Sequence, residues 1–158
     1  MINRYFRALF VGFLTIVFLS GCSSIAKGPF YSEEEVVFAP EDKAAVYVYR
    51  MDKNYAKAVT FKIFVDDEVV SKLGNSSYFV VPVEPGERVF ATKTATYGDE
   101  PITIDVKAGS TRFLRLDVVS KAMGFAADLS FEEVTDELAT LEMTSCRRET
   151  DRYAGPEI

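Results

Sequence analysis

The chain has 158 residues, with 18 Lys and Arg against 24 Asp and Glu and a formal net charge of −6 at pH 7. Histidine is absent, which excludes Ser-His and Cys-His nucleophile pairs and removes the commonest transition-metal ligand. The acidic balance repels phosphate backbones and no basic stripe offsets it, so no nucleic acid is expected as a partner.

The chain opens MINRYFR, with Arg4 and Arg7 and no acid, and continues from Ala8 to Leu19 with an uncharged, almost wholly apolar stretch. Those 12 residues fall short of the roughly 20 that a membrane span requires and match the core of a secretory signal peptide. The basic start holds the N-terminus on the cytosolic side while the apolar stretch enters the bilayer. Leu19, Ser20, Gly21 and Cys22 then read LSGC, which resembles the lipobox of bacterial lipoproteins. The resemblance implies that the Cys22 thiol takes a diacylglyceryl group. It implies too that the leader, residues 1–21, is cut between Gly21 and Cys22, and that the new amine is acylated with a palmitate-type chain. Several chains matter, because a single myristoyl chain gives only marginal membrane binding, about 10⁴ M⁻¹. The expected partner is therefore the membrane, through acyl chains on Cys22. In lipoproteins of cells with two membranes, an aspartate after the cysteine favours retention at the inner membrane. Ser23 stands there instead, so the expected address is the outer membrane, facing the periplasm.

Loss of the leader leaves 137 residues, with 16 basic residues facing 24 acids and a net charge of −8. That length suits one domain burying about two-thirds of its unfolded surface. Residues 22–43 are polar, acidic and punctuated by Gly28, Pro29 and Pro40, the composition of a flexible tether. The Glu33-Glu34-Glu35 run within it marks a solvated segment rather than a cation site.

From Ala44 the pattern changes to short segments rich in β-branched and aromatic residues: AAVYVYR, TFKIFVD, SYFVVPV, ERVFATKTA, ITIDVKA, TRFLRLDVV and FAADLSFEEV. Two-residue alternation, cleanest where Ile102, Ile104 and Val106 alternate with Thr103, Asp105 and Lys107, predicts strands with one face on a core. In SYFVVPV both faces are apolar, as expected of a strand covered on both sides. Turn residues fall between the segments. Asp66, Asp67 and Glu68 separate FKIFV from VVSKL, with Asp67 where a tight hairpin favours glycine. Pro85 and Gly86 suit a type II turn, and Ala108-Gly109 divides two more strands, so hairpins rather than crossover helices are expected. VTDELATLEM then places Val134, Leu138 and Leu141 at helical spacing, with Thr135 as N-cap and acids in the first turn. This helix is expected to cover the second face of SYFVVPV.

The fold class expected is thus mainly β: an antiparallel β-sandwich of about seven strands with one C-terminal helix, a partly closed barrel being the alternative. The domain spans 44–146, and a polar tail, 147–158, follows. Phe61, Phe64, Tyr78 and Phe79 are read as core rather than as a sugar-stacking platform, since large aromatics in a small β domain usually serve burial. If Cys22 carries lipid, Cys146 has no intramolecular disulfide partner. Arg147 and Arg148 beside it favour a thiolate and a redox role, while a spare structural thiol is the simpler reading.

Carboxylate chemistry is what remains. The acids cluster at Asp66-Asp67-Glu68, Asp99-Glu100, Glu132-Glu133 and Asp136-Glu137, mostly at turns and helix starts where solvation is the ordinary fate. A glycosidase needs two carboxyls across a cleft with one pKa raised. Calcium-loop, phosphate-loop and dinucleotide motifs are absent. No catalytic residue, no metal ligand and no cofactor is therefore expected.

AAVYVYR, FKIFVDDEVVSKLGNSSYFVVPVEPGE and VKAGSTRFLRLDV together resemble the DUF2846 family of bacterial lipoproteins, across roughly residues 44–120. The function of that family is uncharacterised, and the resemblance brings no catalytic residues with it. The function expected is that of a lipid-anchored periplasmic binding or envelope-scaffolding module, with an envelope protein as a further candidate partner. The alternatives are a carboxylate-dependent glycan hydrolase and a structural subunit of an envelope complex.

Overall fold

The computed structural model describes residues 26–35, 39–94, 98–120 and 127–150, so the leader and the lipobox, Cys22 included, lie outside the described residues. Ten strands and one α-helix follow in chain order: β1 (Ala44–Arg50), β2 (Phe61–Val65), β3 (Glu68–Leu73), β4 (Ser77–Val83), β5 (Gly86–Thr92), β6 (Gly98–Glu100), β7 (Ile102–Val106), β8 (Thr111–Ser120), β9 (Ala127–Val134), α1 (Asp136–Met143) and β10 (Arg147–Arg148). A six-stranded sheet runs β10-β4-β1-β8-β9-β6 and a four-stranded sheet runs β3-β2-β5-β7. The chain is a mainly β sandwich with one C-terminal helix, and the seven segments read as strands all form strands. β3 completes the first hairpin, whereas β6 and β10 are too short to leave a periodic signal.

The sandwich is not wholly antiparallel. β1 pairs parallel to β8, β10 to β4 and β6 to β9, because several connections carry the chain from one sheet to the other rather than turning back on a neighbour. The Pro85-Gly86 turn is one of them: β4 lies in the larger sheet and β5 in the smaller, and Gly86 takes φ +107 at the crossing, a region open to glycine. The first hairpin is tight despite lacking glycine. Asp66 and Asp67 have φ 48 and 73 between paired Val65 and Glu68, the double left-handed pattern of a two-residue type I′ turn, which aspartate tolerates.

The inner faces of the two sheets meet in one core, to which β1 gives Val46 and Val48, β2 Phe61 and Ile63, β5 Phe90 and β8 Leu114. Every residue of β1 is buried, because its alternate side chains, Ala45, Tyr47 and Tyr49, enter a second cluster on the outer side of the same sheet. There Tyr47 stacks on Phe113 with ring centroids 5.0 Å apart, and α1 covers the layer with Ala139 and Met143. The Thr135 hydroxyl caps α1 by accepting from the Leu138 amide at 3.4 Å. The helix thus covers the second face of β4, where Tyr78 and Val80 join the cluster, but not through the residues its periodicity suggests. Leu138 and Leu141 are 40% and 73% exposed. Smaller Ala139 permits close approach to the tyrosine layer, and the following turn brings Cys146 beneath it.

The described parts of the tether and the tail pair with each other. The Gly28 amide donates to the Arg148 carbonyl, the Arg148 amide to Pro29, and the Tyr31 amide to Cys146. Phe30 bridges Arg147, so residues 26–31 lie as an outer rung on β10. Gly28 is required there: a Cβ would meet the Arg148 carbonyl oxygen at 2.5 Å. Tyr31 then presents its edge to Tyr78, with centroids 5.5 Å apart. The apolar contacts of Tyr31 and Ala26 outweigh the polar composition of this stretch and dock it.

Candidate functional site

The outer faces of the two sheets differ in what covers them. On the four-stranded sheet, alternation along β2 turns Phe61, Ile63 and Val65 inward and leaves Lys62 exposed and Phe64 half-buried on the outer side. Register sets Lys72 of β3 directly opposite Lys62. At the other flank, Thr92 ends β5 opposite Ile63, and Lys93 follows it. Its ammonium lies 4.8 Å from the Phe64 ring centroid and 2.7 Å from Asp67, whose side chain is 89% exposed.

These residues border a groove of about 330 Å³ lined by Val59, Thr60, Phe61, Lys62, Thr92, Lys93 and Thr94. Its volume is at the lower end of small-ligand sites. The wall formed by residues 55–61 is held from inside by Arg50. That guanidinium is buried and donates to the carbonyls of Val59 at 2.8 Å, Ala56 at 2.9 Å and Tyr55 at 3.3 Å. It also lies 5.1 Å from the Phe61 ring centroid. On the opposite wall the buried Thr92 hydroxyl donates to Asp99 at 2.7 Å. Among the described residues Lys62 makes no ion pair. The groove is therefore lined by the Lys62 side chain, by Lys93 paired with Asp67, and by threonines of which Thr92 gives its proton to Asp99.

On the six-stranded sheet the charges pair with one another. Arg115 donates to Asp117 at 2.9 Å, to Glu142 at 2.7 Å and to Glu132 at 2.5 Å, and Arg112 pairs with Glu133. Tyr49 donates to Glu142. Burial alone raises the Glu142 pKa, but the Tyr49 hydroxyl and Arg115 outweigh it and hold the carboxyl below its ordinary value. Burial and then the Glu142 carboxylate push the Tyr49 phenol upward, and burial and Glu34 do the same to Tyr78. This is a saturated structural network.

The acid clusters noted in the sequence are accounted for similarly. Asp66 accepts from the Val89 amide and from Arg88; although burial raises its pKa, these two hold it below the usual range. Asp67 pairs with Lys93. Glu137 is lowered by its own amide at the helix start and by Thr135. Phe61, Tyr78 and Phe79 are buried, so they belong to the cores rather than to a platform. Cys146 is fully buried and its thiol is pushed up to about 12 by burial. Its neighbours do not activate it: Arg147 lies over the Phe30 ring and Arg148 pairs with Glu34.

Among the described residues no group of three or more His, Cys, Asp or Glu is placed to hold a metal ion, and no helix is long and apolar enough to cross a membrane. The lysine groove is the element that sequence reasoning missed. Lys62 is visible as an outward residue of a strand, but its place in one groove with Lys93 depends on the pairing of β2 with β5, which no local pattern announces.

No curated protein matches the chain in sequence. A family model described as a protein of unknown function (DUF2846) matches residues 40–127, a span that holds β1 to β8 and the whole groove and stops where β9 begins. That span is more than half of the chain, and the chain belongs to the DUF2846 family.

Proposed function

We propose that this protein is a lipid-anchored binding module of the bacterial envelope, held through Cys22 at the outer membrane and facing the periplasm. The groove on the four-stranded sheet, left open by the described residues, carries the binding half of that proposal, because it is a concavity lined by lysines and threonines inside the family span. The leader and the LSGC sequence support the anchor. The docking of residues 26–31 on β10 gives the anchor a mechanical consequence. Four residue steps from Cys22 to Ala26 span at most ~14 Å, so the domain would sit close to the bilayer surface instead of on a long leash.

The module is read as non-catalytic. Asp66, Glu137 and Glu142 all shift downward, the opposite of what a general acid requires. Glu132 and Glu133 are tied to Arg115 and Arg112.

Cys22→Ala should leave the leader uncut and the protein without incorporated palmitate, because lipobox processing requires the modified thiol. Mass spectrometry of the N-terminus reads both. Maturation of this variant to the wild-type N-terminus would overturn the anchor, and recovery of the wild-type protein with inner-membrane density would overturn the address.

A further inference from the structure

We propose that residues 26–35 form a releasable strap that sets how far the domain stands from the bilayer. The inference rests on the Cys22 anchor put forward above. The first observation is how the strap is held. Three main-chain bonds join it to the segment around β10: Gly28 to Arg148, Arg148 to Pro29 and Tyr31 to Cys146. The Arg147 guanidinium donates to the Gly28 carbonyl at 3.2 Å and lies 3.7 Å from the Phe30 ring centroid. One carboxylate then fastens the far end. Glu34 accepts from Arg148 of β10 at 3.0 Å and from the Tyr78 hydroxyl of β4, so a single side chain latches the strap to two strands at once.

The second observation is how little else depends on the strap. None of its residues enters the core between the sheets, and half-buried Tyr31 packs on the outer cluster only from its rim. The strap can therefore leave without opening the inner core, as segments of low local stability do. Charge favours its departure. Glu33, Glu34 and Glu35 are consecutive, and the one ion pair they make among the described residues is that of Glu34 with Arg148. The third observation is reach. Docked, the chain from Cys22 to Ala26 spans at most ~14 Å. Released as far as Ala39, which packs on the outer cluster, the chain from Cys22 spans up to ~60 Å. The latch thus selects between a domain held against its own membrane and one free to meet a partner farther across the periplasm.

The test uses the mature acylated protein in phosphatidylcholine nanodiscs. Amide hydrogen exchange at Gly28, Tyr31 and Arg148, which all donate across the strap interface, should occur together and faster than exchange at Val46 and Val48 of β1. Glu34→Gln should speed it about tenfold, the loss of one charge-assisted bond, and leave β1 unchanged. Glu35→Gln removes the same charge one residue away and should have no such effect. Height is read by energy transfer from a dye on Lys107→Cys, an exposed position, to an acceptor in the headgroups; Cys146 is buried and takes no dye. Gly28→Ala combined with Glu34→Gln loses both the close fit and the latch, and its transfer should fall below that of the wild type.

Exchange at the three amides no faster than in β1 overturns the strap, because the segment would then open only with the whole domain. Equal acceleration by Glu35→Gln overturns the latch in favour of net charge, and unchanged transfer in the double variant overturns the effect on height. Mass spectrometry finding no acyl chain on Cys22 would overturn the anchor instead and leave the exchange result interpretable on its own.

Discussion

On the outer side of the six-stranded sheet, Tyr47 and Tyr78 lie beneath a helix and a docked N-terminal rung. On the outer side of the four-stranded sheet, Phe64 is half-buried under a single lysine and Val89 is 40% exposed. Both faces carry aromatic and charged residues, so composition does not distinguish them. The difference lies in how their charges are paired. Arg115 meets three carboxylates on the covered face, whereas among the described residues Lys62 makes no ion pair on the open one. Charge balanced within the chain serves the fold.

The sharpest way to break this contrast is truncation of matched aromatics. Tyr47→Ala removes a ring at the centre of the covered layer and should cost about 3–5 kcal/mol of stability. Phe64→Ala on the open face should cost only about 1 kcal/mol. Urea denaturation measures both. Equal costs would mean that Phe64 is covered by something, such as a second copy of the chain, and that the two faces are alike.

A second test uses pH on the covered face. The Cys146 thiol is raised from an ordinary value of 9.0 to about 12, so above pH 9 the unfolded chain loses a proton that the native chain keeps. The stabilising contribution is therefore complete below that value and is lost as pH rises through the interval, by up to about 1.4 kcal/mol per pH unit. Cys146→Ser should flatten this alkaline limb between pH 9 and 10, before the tyrosines of the unfolded chain ionise. An unchanged slope would show that the thiol is not buried as the fold places it. On the acid side Glu142 is lowered, so its contribution persists down to the ordinary carboxylate range and is lost as pH falls below it.

Gly28→Ala tests whether the N-terminal rung is part of the cover. The new methyl would strike the Arg148 main chain, and release of the rung would forfeit the edge contacts of Tyr31 and several main-chain bonds, about 1–2 kcal/mol in all. Amide exchange at Tyr31 and Arg148 should accelerate while exchange in β2 and β5 is unaffected. Unchanged protection at Tyr31 would show that the segment holds its place without this contact.

Most of the sandwich was legible because strand alternation reports one buried face directly. Ile104 and Val106 point inward as their spacing requires, and Thr135 caps the helix where its side chain and the acids after it indicate. Three features were hidden for physical reasons. The helix face was misread because Leu138 and Leu141 fit an apolar stripe, while close packing on tyrosines favours Ala139. The docked rung was hidden because three glutamates dominate the composition around Tyr31, whose ring decides where the segment lies. The groove was invisible because it joins β2 to the end of β5 and the residues after it, and only the pairing of those distant segments brings Lys62 and Lys93 to one concavity.

The smallest effect is the most specific to the open face. Lys62→Glu replaces a like-charge pair across β2 and β3 with an opposite-charge one, at an exposed position that contributes nothing to either core. Cross-strand pairs of this kind change stability by roughly 0.2–1 kcal/mol, so the variant should unfold at slightly higher urea. A variant less stable than wild type would instead show that the Lys62 side chain supports the strand, and the contrast between the two faces would then rest on Phe64 alone.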